Sequence, residues 1–262
     1  MIYLNYFKKI LIFSCIISKF LLAQNFEFNQ AITDSLPQIN SNSIQVGDVD
    51  GDGLKDLFLS GYDVRRFGLY FDVLTGKENG LLSPYSNLEF ITYPDTIGEF
   101  IGGLGNITLS DVNRDGNIDA YLTGSARSLL LINEPDGFGV TTGLENLSLT
   151  YSHGSWGDID LNGTPDLFIM GVEESQDIII NRLYLNDGDR LREDPSTIFP
   201  SLFNGSSAWC DYDNDGDPDL IICGQTANSA SSVTRLYKNE PTGRLIEDTN
   251  QEFVGLKAGV FK

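Results

Sequence analysis

Four short apolar runs recur along the chain at matching places. They are Leu57-Phe58-Leu59-Ser60-Gly61, Ala120-Tyr121-Leu122-Thr123-Gly124, Leu167-Phe168-Ile169-Met170-Gly171 and Leu220-Ile221-Ile222-Cys223-Gly224. Each ends in a glycine, and the glycine always stands five residues after an aspartate. Runs this short, closed this way, predict strands buried on both faces rather than helices. A second apolar element follows each: Leu69-Tyr70-Phe71-Asp72, Leu130-Leu131-Ile132-Asn133, Leu183-Tyr184-Leu185-Asn186 and Leu236-Tyr237-Lys238-Asn239. A less regular strand comes next, as at Leu88-Glu89-Phe90-Ile91-Thr92-Tyr93.

The polar stretch before each run is more informative still. Residues 48–56, 111–119, 158–166 and 211–219 all fit D-x-[DN]-x-[DN]-G-x-x-D. Oxygen side chains at positions 1, 3, 5 and 9 suit a hard cation. The glycine at position 6 allows a sharp turn, so that the carbonyl of position 7 points inward too. The expected calcium ligands are Asp48, Asp50, Asp52, Leu54 and Asp56 in loop one, and Asp111, Asn113, Asp115, Asn117 and Asp119 in loop two. Loop three offers Asp158, Asp160, Asn162, Thr164 and Asp166, and loop four offers Asp211, Asp213, Asp215, Asp217 and Asp219. Up to four Ca2+ ions are expected. Ligand charge ranks loop four tightest, with Pro218 stiffening its exit, and loops two and three weakest, because Asn113 and Asn162 each replace a carboxylate.

An EF-hand needs a bidentate Glu at position 12. Here that position is Leu59, Leu122, Ile169 and Ile222. Helix-flanked calcium loops, dockerins included, are therefore excluded four times. The remaining unit is strand, calcium loop, strand, loop, strand, turn, strand. The first Asp recurs after 63, 47 and 53 residues. Periods of that size with about four strands predict propeller blades, which bury both sheet faces by stacking around an axis.

The repeats resemble the FG-GAP/VCBS family, the blades of the integrin alpha-chain β-propeller and of many secreted bacterial proteins. Trp209 to Leu220 is very similar to the bacterial form, as is Trp156-Gly157-Asp158-Ile159-Asp160. The resemblance covers roughly residues 25–262. It implies an all-β propeller with calcium bound between strands 1 and 2 of each blade, and approximate blades at 42–95, 105–150, 152–204 and 205–250. The Gly-Ala-Pro element of integrin blades is absent, which sets integrin-like ligand recognition aside. Phe26-Glu27-Phe28 and Leu256 to Phe261 read as part-blades, at 25–41 and 251–262. The family usually has about seven blades, so an incomplete propeller is expected; a five-bladed ring whose termini share a blade is the alternative.

Lys8 and Lys9 precede an apolar stretch from Ile10 to Ala23 that Lys19 interrupts. This reads as a secretory signal peptide cleaved after Ala23, with a membrane anchor or a lipidated Cys15 as the alternatives. No integral membrane span is expected in the mature chain. The formal net charge is −20, and the four loops hold 15 of the 37 acids. Such a balance argues against nucleic acid and anionic membranes as partners. Cys210 and Cys223 flank loop four; a symmetric hairpin sets Cys210 opposite Leu220, so free thiols are expected, though export permits a bridge.

No G-x-S-x-G, H-E-x-x-H or phosphate-cradling glycine loop occurs. The lone histidine, His153, is expected to be structural. Trp156 and Trp209 occupy one repeat position and are expected to pack between blades. The chain therefore reads as a non-catalytic, secreted or cell-surface adhesion module that binds a glycan, a matrix component or a surface protein. Partner contact is expected at the 2–3 loops, Val172–Ile178 and Gln225–Val233. The alternatives are the propeller domain of a polysaccharide-degrading or lipid-hydrolysing enzyme, and a structural spacer.

Overall fold

The computed structural model describes residues 39–63, 68–78, 81–85, 106–124, 128–141, 144, 147–227, 231–241, 243–251 and 253. The expected signal peptide, Phe26–Phe28, Leu88–Tyr93 and Leu256–Phe261 lie outside them. All regular structure here is β, in sixteen strands. Among the described residues, four antiparallel four-stranded sheets follow one another in sequence and are arranged as β-propeller blades.

The first sheet holds β1 (Ile39–Gly47), β2 (Asp56–Asp63), β3 (Gly68–Gly76) and β4 (Leu82–Pro84). The second holds β5 (Ile107–Ser110), β6 (Asp119–Leu122), β7 (Leu129–Glu134) and β8 (Gly137–Thr141). The third is β9 (Leu149–Gly157), β10 (Asp166–Glu173), β11 (Ile178–Asn186) and β12 (Leu191–Asp194). The fourth is β13 (Leu202–Cys210), β14 (Asp219–Thr226), β15 (Ser232–Glu240) and β16 (Arg244–Glu247). Each acidic loop joins the first and second strands of its sheet.

Stacking buries both faces of the second strands. In β10, Leu167 and Ile169 join Val112 of loop two and Tyr121 and Leu130 of the second sheet. Phe168 and Met170, on the other face, join Leu202, Leu220, Ile222 and Tyr237 of the fourth. A third cluster sets Val49, Phe58 and Val73 against Ile107, Ala120 and Leu131. Trp156 meets Tyr121 edge to face at 6.3 Å, and Trp209 packs on the cluster between sheets three and four. Gly157 makes room for that indole: a Cβ there would come within 2.5 Å of Trp209. Both tryptophans are inter-sheet packing, as their shared repeat position indicates.

Three sequence expectations change. The glycines after the apolar runs do not all close a strand. Gly171 and Gly224 lie inside β10 and β14, next to register shifts in β9 and β13. A Cβ on Gly171 would stand 2.9 Å from Ser152, so glycine is required where the bulged neighbour approaches. Second, Leu69–Asp72 is not the counterpart of Leu183–Asn186. Leu57 faces Leu74 as Leu167 faces Tyr184, so the equivalent segment is Val73–Gly76, four residues later. An even slip keeps every side chain on its face, and alternation cannot detect it. The fourth strand of this sheet follows directly at Leu82–Pro84, closed by Lys77 N–H donating to Leu81 O (2.9 Å). Third, Cys210 faces Asp219, one residue from the expected Leu220. Both Cys210 and Cys223 are free thiols.

The inner strands meet through polar groups. Ile107 N–H donates to Ser43 Oγ (3.0 Å), Ser152 Oγ to Thr123 Oγ1 (2.7 Å), and Ser155 and Ser207 share a 2.7 Å contact. His153 belongs to this layer. Ser207 N–H donates to its Nδ1 (3.3 Å), which assigns the ring proton to Nε2, 3.3 Å from Ser206 Oγ. Burial lowers its pKa from 6.5 to about 4. The folded state thus keeps His153 neutral while the unfolded chain protonates it near 6.5. This contribution to stability is complete above pH 6.5 and is lost as pH falls toward 4, up to about 3 kcal/mol. His153→Gln is expected to flatten the acid limb of a stability–pH profile over that window. An unchanged limb would remove the role.

Candidate metal centre

The loops fold by hydrogen bonds that their own pattern supplies. The position-1 carboxylate accepts the amide of the position-6 glycine: Gly53 to Asp48 (2.9 Å), Gly116 to Asp111 (2.9 Å), Gly163 to Asp158 (2.8 Å) and Gly216 to Asp211 (3.1 Å). These glycines have φ of 84°, 88°, 86° and 101°, a left-handed conformation that favours glycine. The position-5 oxygen turns onto the position-7 amide, from Asp52 to Leu54 (2.8 Å), Asp115 to Asn117 (2.8 Å), Asn162 to Thr164 (2.7 Å) and Asp215 to Asp217 (3.4 Å).

Positions 1, 3 and 9 converge. Carboxylate oxygens of Asp48, Asp50 and Asp56 lie within 4.8 Å of one another, as do those of Asp158, Asp160 and Asp166 and those of Asp211, Asp213 and Asp219. In loop two, position 3 is Asn113; its Oδ1 accepts Asp115 N–H (3.1 Å) and its amide donates to Asp115 (3.0 Å). Asp48 Oδ1, Asp158 Oδ1, Asp213 Oδ1 and Asp217 Oδ1 are buried and, among the described residues, without a hydrogen-bond partner. Buried, unpartnered carboxylate oxygens in an all-oxygen donor set fit a hard divalent cation. At position 7, Thr164 is buried and its hydroxyl donates to Asn186 O (2.6 Å).

The ninth aspartate does more than its place in the motif indicates. Asp56, Asp119, Asp166 and Asp219 are at most 1 % exposed. One oxygen of each accepts the amide of loop position 2: Val49 (2.6 Å), Val112 (2.8 Å), Ile159 (2.8 Å) and Tyr212 (2.9 Å). The other accepts an amide on the third strand: Gly76 (2.8 Å), Asn133 (2.8 Å), Asn186 (2.7 Å) and Asn239 (2.8 Å). The carboxylate ties its loop to its own sheet. Burial raises Asp119 to about 6 and Asp166 to about 7; the accepted amides oppose the rise, and neighbouring aspartates add to it.

A second tie joins each of sheets two to four to the acidic loop before it. The side-chain amide of Asn133 donates to Val49 O (2.8 Å), that of Asn186 to Val112 O (2.8 Å) and that of Asn239 to Ile159 O (2.7 Å). These asparagines recur at one place in the repeat, and that recurrence was the only sequence signal for the clasp. Position 2 also supplies core: Val49, Val112 and Ile159 are buried. Loop four differs. Tyr212 Oη donates to Asp248 (2.8 Å), and Lys238 is ion-paired with Asp213 and lies 3.5 Å from Asp215.

Residues 158–222 match the FG-GAP-like repeat family. No curated protein matches the chain. The matched segment runs from the first aspartate of loop three, through β10 to β13 and loop four, to Ile222 in β14. Loops one and two stand in the same place between the first two strands of their sheets. The chain is thus a β-propeller that carries an FG-GAP-like repeat at residues 158–222.

Proposed function

We propose that this is a secreted propeller whose acidic loops bind calcium for structure, and which serves as a non-catalytic binding or adhesion module. The observation that carries the calcium reading is the set of buried, unpartnered carboxylate oxygens in loops that also hold their sheets together. Calcium there supplies charge compensation. The chain's own aspartates hold the loop, and its asparagines hold neighbouring sheets.

The binding reading draws support from what the remaining groups do. His153 is neutral and has both ring nitrogens occupied by Ser206 and Ser207, which suits packing and not proton transfer. The clustered carboxylates are engaged within the loops. Antiparallel pairing sends the 2–3 loops to the end of each sheet away from the acidic loops. In the third sheet, Val172, Glu173 and Ile178 belong to strands. Glu173 is buried and accepts Ser175 Oγ (2.9 Å) and Gln176 N–H (3.0 Å). That leaves 174–177 as an exposed, ordered turn for contact. In Gln225–Val233, residues 228–230 lie outside those described.

No helix among the described residues is long and apolar enough to cross a membrane. The charge of −20 supports a glycan, matrix or surface-protein partner over nucleic acid. A glycan and matrix-protein array probed with the purified chain tests the proposal. Glu174→Ala with Gln176→Ala is expected to weaken capture without moving the melting temperature. Turnover of a polysaccharide or lipid by the chain would overturn the reading in favour of an enzyme.

A further inference from the structure

The third strand of each sheet carries one residue directly before the amide that ties to the ninth aspartate. Leu57, Ala120, Leu167 and Leu220 face Leu74, Leu131, Tyr184 and Tyr237, so the next residues, Thr75, Ile132, Leu185 and Lys238, are equivalent. Only the fourth is cationic. Its ammonium is ion-paired with Asp213 at loop position 3 and lies 3.5 Å from Asp215 at position 5, with the Lys238 side chain 37 % exposed.

Loop four is also the one with the most acid to answer. It has five carboxylates, including Asp217 at position 7 where the other loops have Leu54, Asn117 and Thr164. Asp211 and Asp219 already spend both oxygens on backbone amides: Asp215 and Gly216 for the former, Tyr212 and Asn239 for the latter. Asp213 Oδ1 and Asp217 Oδ1 stay unpartnered, and Asp217 is 9 % exposed. The loop therefore has uncompensated negative charge, and Lys238 is positioned against part of it. No described asparagine clasps Tyr212 O as Asn133, Asn186 and Asn239 clasp the other loops.

We propose that Lys238 is a tethered cation for loop four, which holds this loop without metal and competes with calcium for its carboxylates. A divalent ion held by Asp213 must displace the ammonium or accept a like charge beside it. Loop four then binds calcium more weakly than its five carboxylates indicate. The inference rests on the calcium reading above, and its test separates the two.

The full chain is used as Lys238→Met, which keeps length and removes charge, and as Lys238→Arg, which keeps charge. The chain has two tryptophans, and Trp209 stands two residues before loop four. In a Trp156→Phe background that also carries Asp160→Ala, which silences loop three beside the Trp209 indole, indole-sensitised terbium emission reports loop four, and calcium competes the terbium off. Lys238→Met is expected to tighten calcium at loop four about fivefold, the fold-change of one partly screened ion pair. Lys238→Arg is expected to stay at the wild-type value. In EDTA, Lys238→Met is expected to melt below wild type and Lys238→Arg level with it, with millimolar calcium closing the gap. Unchanged affinity in Lys238→Met, or Lys238→Arg behaving like Lys238→Met, overturns the proposal. Should calcium move no melting temperature in any variant, the calcium reading fails. A lower EDTA melting temperature of Lys238→Met then still supports the tethered cation, and equal EDTA melting overturns it.

Discussion

Chelation with EDTA is expected to lower the melting temperature of this chain by more than about 10 °C relative to millimolar calcium. Three loops bring carboxylate oxygens within 4.8 Å of one another. Without a cation, those like charges repel in a setting that has already stripped part of their hydration. A ligand that binds the native state alone adds roughly 3–4 kcal/mol per site at a hundred- to thousandfold excess over Kd. The gain spreads beyond each loop, because position 2 of loops one to three is clasped by the next sheet through Asn133, Asn186 and Asn239. A loop that loosens therefore loosens an inter-sheet contact. Scanning calorimetry with and without calcium is the measurement, and equal melting temperatures would sink the structural role of calcium.

Asp166→Ala is expected to destabilise the chain by roughly 2–6 kcal/mol even in EDTA, since it leaves two buried amides unpaired at about 1–3 kcal/mol each. Asp166 is fully buried and accepts Ile159 N–H at 2.8 Å and Asn186 N–H at 2.7 Å. The contrast is Asp160→Ala at position 3 of the same loop. Asp160 is exposed and, among the described residues, accepts only Asn162 N–H, at 3.2 Å. Its loss is expected to cost stability in calcium and little in EDTA. Urea unfolding of both variants in both conditions gives the four numbers. If Asp166→Ala, like Asp160→Ala, matters only in calcium, the ninth aspartate is a ligand alone and its tie to the sheet carries no weight.

These two aspartates show where reading the chain stops. The nine-residue pattern places both as oxygen donors, and on that basis they look interchangeable. They differ because Asp166 opens β10, inside the stacked sheets, whereas Asp160 lies in the turn facing solvent. Burial is a property of the stack, and the motif has no term for it. The same holds for Lys238. By sequence it is one residue of an apolar strand, and only pairing of β14 with β15 carries its ammonium to a loop more than twenty residues earlier.

What the amino-acid sequence determines by itself is local: a turn that glycine at position 6 permits, acceptors spaced to close it, and short apolar runs whose length and following glycine favour strands over helices. From those alone follow the sheets, the loops between their first two strands and the repeat. Tertiary structure decides everything that joins distant parts. The asparagine clasps bridge 74 to 84 residues, a separation at which side-chain partners are set by how sheets stack and not by spacing. It also decides register where alternation is blind, as in β3, whose four-residue offset is even and leaves the alternation unchanged.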